Sequence, residues 1–227
     1  MPRVDTFIKG ILDILPLMIP VVPFGIIYGV IGVEIGFSPM EVFAMSFVIF
    51  AGSSQIAFAQ LFAAGASPLV MISSVAVINS RHILYGAVLA EYLGKLRLTW
   101  KILLSYLMAD QAFSVSSAYF KKNQKNKNVH FHMLGSGLTL WSLWQLSTLI
   151  GIVLGNIVPA QLGLEFAIPL TFFSLILSEL RKLDHIVIIL ISGICSVLTY
   201  NFPFKIYIIF SAIFSLIISI MINKKFK

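Results

Sequence analysis

Charged residues are scarce in this 227-residue sequence. Aspartate, glutamate, lysine and arginine together make up 11% of it, whereas a typical soluble domain has about 25%. A chain with so little charge cannot give a compact fold a water-soluble surface, which excludes the ordinary soluble globular class. Because 59% of the residues are hydrophobic, lipid is the expected solvent for most of the surface.

Cysteine and familiar catalytic motifs are also nearly absent. The single cysteine, Cys195, lies inside an apolar run, so it forms no intramolecular disulfide and its expected role is that of a small core residue. Neither H-E-x-x-H nor G-x-S-x-G occurs, and we identify no second buried acid to pair with Asp110. We therefore expect no enzyme activity, no catalytic residues, no metal and no cofactor.

The sequence does contain long uninterrupted apolar runs, such as 206–222. A backbone in hydrocarbon must satisfy its own hydrogen bonds as a helix or a closed barrel, and barrel strands alternate apolar and polar residues, which these runs do not. The predicted fold is all-α: a polytopic integral membrane protein with seven or eight transmembrane helices, some of them broken, in a single transmembrane domain over 1–227. Segments are predicted at 12–33, 40–64, 68–90, 102–120, 131–157, 164–180, 185–201 and 203–222.

The basic residues, which give the chain a net charge of +7, lie mostly in the short gaps between apolar runs. That distribution indicates orientation in a membrane and not a nucleic-acid surface. With eight spans and a cytoplasmic N-terminus, eleven lysines and arginines fall inside and four outside, namely Lys95, Arg97, Lys101 and Lys205. The three at 95–101 fit badly. They would fit if 102–120 were a re-entrant hairpin or if the number of spans were odd.

Asp110 is an ionisable residue near the middle of the fourth predicted segment. An ionisable group in a span costs free energy unless it is partnered or wetted, so it is a functional candidate. Tyr106, Asp110, Ser114 and Ser117 recur at helical spacing, which predicts one polar face. Asp110 either binds a proton or substrate, or joins two helices through hydrogen bonds.

The run Asn79-Ser80-Arg81-His82 interrupts the third predicted segment. Four consecutive polar residues cover every face of a helix, so the chain here is either unwound or surrounded by protein and water. The guanidinium of Arg81 matches a carboxylate, either that of an amino acid or that of Asp110. His82 either relays protons or only donates a hydrogen bond.

Two further stretches predict broken helices. Three prolines and Gly25 make the first segment a poor continuous helix, because each proline removes a backbone hydrogen bond. The stretch 51–55 puts Gly52, Ser54 and Gln55 at the middle of the second segment. Breaks of this kind expose backbone groups to substrates in transporters, although close helix packing explains small residues equally well. The prolines are Pro16, Pro20 and Pro23.

An aromatic and amide face is predicted on the fifth segment. Trp141, Trp144, Gln145 and Thr148 share one side of a helix. Trp144 is a candidate wall for an apolar side chain, and core packing is the alternative for the whole face.

Several of these motifs together resemble the AzlC family, the large subunit of bacterial branched-chain amino acid exporters. The most specific is N-x-R-H-x-L-Y at 79–85 followed by D-Q-A-F at 110–113. The other matching stretches are P-F-G at 23–25, F-A-G-S-S-Q at 50–55 and L-G-L-E-F-A-I-P-L at 162–170. The sequence departs from the family in having Gln111 where an acid often follows the aspartate.

We expect coupling to the proton gradient, because an intramembrane carboxyl group such as Asp110 can carry a proton. The resemblance implies a secondary transporter that exports leucine, isoleucine and valine, with methionine a further candidate. It implies a multi-pass protein of the bacterial cytoplasmic membrane that works with a small AzlD-type membrane subunit and binds no nucleic acid. A channel or uptake permease, or a non-transporting scaffold subunit, stays open as an alternative. The candidate substrate- or proton-binding residues are Asp110, Arg81, His82, Asn79, Gln55, Ser54, Gly52 and Trp144.

Overall fold

The computed structural model describes residues 2–155, 183–201 and 207–225, and every regular element in these ranges is an α-helix. The predicted all-α class is therefore confirmed for this part of the chain. The helices are α1 Arg3–Glu34, α2 Pro39–Ile49, α3 Gly52–Ala63, α4 Pro68–Asn79, α5 Arg81–Leu93, α6 Leu98–Tyr106, α7 Asp110–Lys122, α8 Val129–Gly155, α9 Leu183–Leu198 and α10 Tyr207–Lys225.

Helix α1 runs without interruption through its three prolines, so the break predicted around Gly25 is wrong. Packing explains why the helix survives the lost hydrogen bonds. Gly25 is buried, and a Cβ added to it would lie 2.7 Å from the Cβ of Ser147 in α8. Neighbouring helices make proline tolerable inside membrane helices in this way.

Helices α1 and α8 lie side by side and parallel, in contact through their glycines. A Cβ on Gly10 would lie 2.1 Å from the carbonyl oxygen of His132, and one on Gly151 would lie 2.1 Å from that of Ile26. The first pair joins the beginnings of α1 and α8, and the second pair joins their later turns, so the two helices run in the same direction. The alternative of close packing by small residues therefore accounts for these glycines.

Three predicted segments are each split into two helices. The segment 40–64 is split between α2 and α3 at Phe50 and Ala51, and 102–120 is split between α6 and α7 at 107–109. Between α4 and α5 only Ser80 is left out, and its φ of −55° and ψ of −26° are helical. The interruption between α4 and α5 is therefore a local irregularity in the helical hydrogen bonds and not an unwound stretch.

Helices α6 and α7 form a hairpin against α8. At its open end, Trp100 of α6 packs on the ring of His130 at 5.0 Å, and Tyr119 of α7 stacks on His132 at 4.1 Å. At its tip, Leu107 lies against Gly137, whose added Cβ would meet the Leu107 Cβ at 2.8 Å. The start of α6 and the last turns of α7 thus contact the first turn of α8, and the tip of the hairpin contacts a later turn of α8.

The hairpin corrects the predicted distribution of basic residues. Lys95, Arg97 and Lys101, expected outside, precede or begin α6 and lie at the same end of the fold as the loop 123–128 that follows α7. The guanidinium of Arg3 lies 5.7 Å from the ring centre of Phe131 in the first turn of α8, so the start of α1 shares that end. The hairpin alternative for 102–120 agrees with these contacts.

Three of the described helical stretches are long and apolar enough to cross a membrane: Arg3–Glu34, Pro68–Leu93 and Val129–Gly155. The chain forms two compact units, one of 1–56 and 78–159 and the other of 57–77 and 160–227. That the whole chain is one domain stays a prediction. The predicted segment 164–180 and the motif at 162–170 lie outside the described residues.

Candidate functional site

The two ionisable residues singled out in the sequence are paired. Nη1 of Arg81 lies 2.9 Å from Oδ2 of Asp110. Arg81 is the first residue of α5 and Asp110 is the first residue of α7, so the pair joins the starts of two interrupted helices. The side chains are 32% and 38% exposed, respectively. Because a charge that faces lipid is costly, the exposed parts of these two side chains must contact water, another part of the protein or a ligand.

Two partners of this pair were not among the predicted site residues. Nη2 of Arg81 donates a hydrogen bond to Oγ of Ser53 near the start of α3. The hydroxyl of Tyr85 donates to Oδ1 of Asp110 at 2.9 Å, and its ring stacks on Phe113 at 4.2 Å. Tyr85 lies one helical turn after Arg81, a spacing that could have identified it.

The turn between α2 and α3 is held by the residues predicted there. Phe50 has a φ of +38° and a ψ of 52°, and it is the one non-glycine residue with positive φ in the described part of the chain. Oε1 of Gln55 accepts from the backbone N–H of Ala51 at 3.3 Å, and Oγ of Ser54 donates to the Ala51 carbonyl at 2.8 Å. Gln55 and Ser54 are buried and close the turn around Ala51.

Gly52 and Trp144 lie in contact beside this turn. A Cβ on Gly52 would lie 2.5 Å from Cη2 of Trp144 and 3.1 Å from Cε1 of Phe24. The ring of Trp144 is 4% exposed and stacks on Tyr28 at 6.0 Å. Its indole Nε1 is buried and makes no hydrogen bond in the described residues. Glycine is needed at 52 because the indole fills the space that a side chain would take.

Asn79 and His82 flank the pair without contacting Asp110. Nδ1 of His82 lies 3.1 Å from the carbonyl oxygen of Asn79, and its ring meets Tyr85 edge-on at 5.6 Å. These contacts suit the local hydrogen-bond interpretation of His82. Oδ1 of Asn79 and Nε of Arg81 are buried and make no hydrogen bond in the described part of the chain, so both have capacity for a further partner.

Tyr106 was wrongly included in the predicted polar face through Asp110, because Tyr106 ends α6 while Asp110 begins α7, which also contains Ser114 and Ser117. Tyr106 instead lies near the tip of the hairpin and joins it to α2. Its hydroxyl donates to the carbonyl of Phe47 and accepts from Nε1 of Trp141 at 2.8 Å. The hairpin tip thus lies against the end of α2, next to the turn at Phe50.

The rest of the predicted face on α8 is packing surface for α2. Oγ1 of Thr148 lies 3.1 Å from Oγ of Ser46, and Nε2 of Gln145 donates to the Ser46 carbonyl at 3.2 Å. Core packing therefore accounts for Gln145 and Thr148.

Two helix N-termini, those of α3 and α7, lie beside Arg81 at the candidate site. The first N–H groups of a helix have no acceptor within it, and the helix dipole adds partial positive charge there. With the guanidinium of Arg81, these termini favour an anionic group, while the Asp110 carboxylate beside them favours a cation. One charge of each sign, about 3 Å apart, is the arrangement that suits a zwitterion.

Comparisons with known proteins agree with the motifs. The model of the AzlC protein family matches residues 16–158. The inner membrane protein YgaZ of Escherichia coli is 28% identical over 212 residues, which cover 89% of this chain and 85% of that protein. The branched-chain amino acid transport protein AzlC of Bacillus subtilis is 28% identical over 160 residues, 70% of this chain and 61% of that protein.

An uncharacterized membrane protein of Archaeoglobus fulgidus is also 28% identical, over 77% of this chain and 76% of that protein. No solved structure matches the chain. The family match covers most of the sequence and includes every described residue of the Arg81–Asp110 site. The chain is a membrane protein that belongs to the AzlC family.

Proposed function

We propose that this protein is a secondary transporter that exports branched-chain amino acids, without enzyme activity of its own. Family membership and the name of the Bacillus subtilis relative support the substrate class. The observation that supports a transport site in this chain is the partly exposed Arg81–Asp110 pair where three interrupted helices begin.

A zwitterionic amino acid can take the place of the ion pair. Its carboxylate replaces Asp110 on the guanidinium of Arg81 and accepts from Ser53 and the helix N–H groups. Its ammonium replaces Arg81 on the carboxylate of Asp110, where Tyr85 stays as a donor. The exchange leaves each charge paired, so it avoids the cost of an unpartnered charge in a low-dielectric site. The aliphatic side chain then lies toward Phe50 and Trp144.

The position of the site suits alternating access. Arg81 is near the middle of the 26-residue apolar stretch Pro68–Leu93, which at about 1.5 Å per residue spans the roughly 30 Å of hydrocarbon in a bilayer. Interrupted helices at mid-membrane depth are typical of secondary transporters. Small movements of the α6–α7 hairpin open the pair to one side or the other.

The orientation follows from the positive-inside rule. Of the ten lysines and arginines in residues 1–155, nine lie at the end of the fold where α1, α6 and α8 begin, and the tenth is Arg81. That end is cytoplasmic, and the hairpin enters from it. The protein is then a multi-pass protein of the bacterial cytoplasmic membrane, and 102–120 does not cross it.

Transport is coupled to the proton gradient and assisted by a small AzlD-type membrane subunit. The intramembrane carboxyl group of Asp110 supports the first property, and the family resemblance supports the second. A channel would move leucine without exchange stimulation, and a scaffold subunit would tolerate loss of either charge of the pair.

The test uses proteoliposomes that contain this chain, with and without a co-expressed small subunit, preloaded with labelled leucine. We expect efflux that a proton gradient stimulates and that unlabelled external leucine accelerates. Asp110→Asn should reduce efflux by roughly tenfold or more, because a lost charge partner costs about 2 kcal/mol or more. Asp5→Asn, an exposed acid at the start of α1, is the matched control. Efflux that is the same in Asp110→Asn as in the wild type contradicts the proposal.

A further inference from the structure

A second polar group lies between α1, α7 and α8, apart from the Arg81–Asp110 site. Oδ2 of Asp13 lies 3.1 Å from Nε2 of His132, and Nδ1 of His132 lies 3.4 Å from Oγ of Ser116. Ser116 in turn lies 3.1 Å from Oγ of Ser136, which donates to the Met133 carbonyl at 3.2 Å. Four side chains therefore form one unbranched line of hydrogen bonds.

The line leads from the protein surface into its interior. The side chain of Asp13 is 29% exposed, whereas His132, Ser116 and Ser136 are each 0% exposed. Ionisable side chains are seldom fully buried without a functional or structural reason. Asp13 and His132 both lie in predicted spans, so the criterion that selected Asp110 applied to them as well, although neither was singled out.

The titratable groups that face His132 come from all three helices. Asp13 of α1 provides a carboxylate, and Lys9, one turn earlier, forms an ion pair with that carboxylate. Tyr119 of α7 stacks flat on the imidazole, with ring centres 4.1 Å apart and planes 11° from parallel. Asn126 donates to the Tyr119 hydroxyl at 3.3 Å. Burial of the imidazole disfavours a proton on His132, the Asp13 charge favours one, and the Lys9 charge opposes it.

This line can stay complete whether the imidazole is neutral or protonated. In the neutral form Nε2–H donates to Asp13, Ser116 donates to Nδ1 and Ser136 donates to Ser116. In the imidazolium form Nε2–H still donates to Asp13, Nδ1–H donates to Ser116, Ser116 donates to Ser136 and Ser136 donates to the Met133 carbonyl. Only hydroxyl hydrogens rotate, because a hydroxyl both donates and accepts. A histidine held only for structure needs just one of these arrangements.

The order Asp13, His132, Ser116 is also that of a hydrolase triad. A nucleophile must be reached by its substrate, and Oγ of Ser116 is fully enclosed by the three helices. The ligand that can reach His132 through Asp13 is therefore as small as a proton.

We propose that His132, with Asp13 as its partner at the surface, is a reversible proton-binding site at the cytoplasmic end of this protein. A role for this proton in coupling rests on the proposed transport function. The site connects to the substrate pair through α7, which carries Ser116 on the face toward His132 and begins with Asp110. Reversal of the Ser116 hydrogen bond changes how α7 is held against α8, and with it the hairpin that positions Asp110.

The first test measures protonation directly and does not depend on transport. The full chain, labelled with ¹⁵N-histidine, is placed in lipid nanodiscs, and His132 is assigned by the resonance that is lost in His132→Gln. We expect its two ring nitrogens to reach the imidazolium form within about pH 5 to 8. Asp13→Asn should move that titration to lower pH, and Asp5→Asn should leave it unchanged. A His132 that stays one neutral tautomer throughout, or that ignores Asp13→Asn, overturns the proposal.

The second test separates coupling to the proton gradient from leucine transport itself. His132→Gln should lower the gradient stimulation of leucine efflux by roughly fivefold or more, a typical coupling factor, while leucine exchange at equal pH stays within about twofold. His130→Gln, two residues away on α8 and packed on Trp100, is the control. If His132→Gln does not fold, Asp13→Asn and Ser116→Ala replace it. Gradient stimulation that survives overturns the coupling role. If the wild type moves no leucine, the proposed function fails, and the titration alone decides the proton site.

Discussion

Nη1 of Arg81 lies 2.9 Å from Oδ2 of Asp110, and each residue is the first of its helix. Folding thus brings together two residues that are 29 positions apart, at two points where helices restart. Under the proposed function, a ligand that carries both charges displaces this ion pair, and Ser53 and Tyr85 stay as hydrogen-bond partners.

Removal of the Tyr85 hydroxyl tests the hydrogen bond to Asp110. Tyr85→Phe keeps the ring that stacks on Phe113 and removes one donor. We expect leucine efflux to fall by roughly threefold to tenfold. This is the range for an ordinary hydrogen bond of about 0.5–1.5 kcal/mol, because water screens the charge in a partly exposed site. Tyr92→Phe is the control, since Tyr92 packs on Phe120 of the same helix pair. An equal loss in both variants would contradict a specific role for Tyr85.

The glycine contact between α1 and α8 predicts a loss of stability on adding one methyl group. In Gly151→Ala the new Cβ would lie 2.1 Å from the carbonyl oxygen of Ile26. Because a backbone carbonyl cannot move aside cheaply, we expect a loss of about 1–3 kcal/mol in the free energy of unfolding. Thermal unfolding in detergent measures it. Gly86→Ala meets no atom within 4 Å and should be neutral; equal melting temperatures for the two would be evidence against this interface.

Gly52 and Trp144 should show compensation. Gly52→Ala places a methyl group 2.5 Å from Cη2 of Trp144, so the indole must shift away from the turn at Phe50. We expect leucine efflux to fall, and the additional change Trp144→Phe to restore part of it, because phenylalanine lacks the colliding atom. Contacting residues couple by about 0.5–3 kcal/mol, which corresponds to a rescue of at least twofold. Strictly additive effects would contradict the contact.

The hairpin of α6 and α7 makes a clear prediction for labelling. In a Cys195→Ser background, Thr99→Cys lies in the first turn of the hairpin and Gln124→Cys lies just after it, and both positions are exposed. We expect both to react with an impermeant thiol reagent only after the cells are permeabilised. Met40→Cys, 75% exposed beyond the far end of α1, should react in intact cells. Reaction of Thr99→Cys in intact cells, with Gln124→Cys still protected, would mean that 102–120 crosses the membrane.

The helical segments were predictable because apolar runs determine which stretches leave water. The interruption at Gly52 was also predictable, since a small and polar stretch stands out in an apolar helix. The basic residues at 95–101 indicated a hairpin over 102–120 as an alternative, but its turn at 107–109 could not be located, because Leu107, Met108 and Ala109 include no proline or glycine. Their turn depends on contact with Gly137 of α8, which local sequence does not encode.

The prolines of α1 misled in the opposite direction. Local chemistry predicts a break, yet contact with α8 keeps the helix continuous, so tertiary packing prevails over local propensity. The site was partly predictable: Arg81 and Asp110 stand out as charges in apolar segments, but their pairing, and the roles of Ser53 and Tyr85, depend on the hairpin. The hydrogen bond between Asp13 and His132 joins residues 119 positions apart. A contact over that separation cannot be predicted from the spacing of residues within one helix.

The most direct test of a zwitterion between Arg81 and Asp110 compares leucine with two analogues that each lack one charge. 3-Methylbutylamine has no carboxylate, and 4-methylpentanoate has no amine. Each competes at equal concentration for efflux of labelled leucine from wild-type proteoliposomes. We expect both analogues to inhibit at least roughly tenfold more weakly than leucine, because each leaves one charge of the pair without a partner. In Asp110→Asn the disadvantage of 4-methylpentanoate should shrink. If either analogue competes as well as leucine does, the Arg81–Asp110 pair is not the place where the amino acid binds.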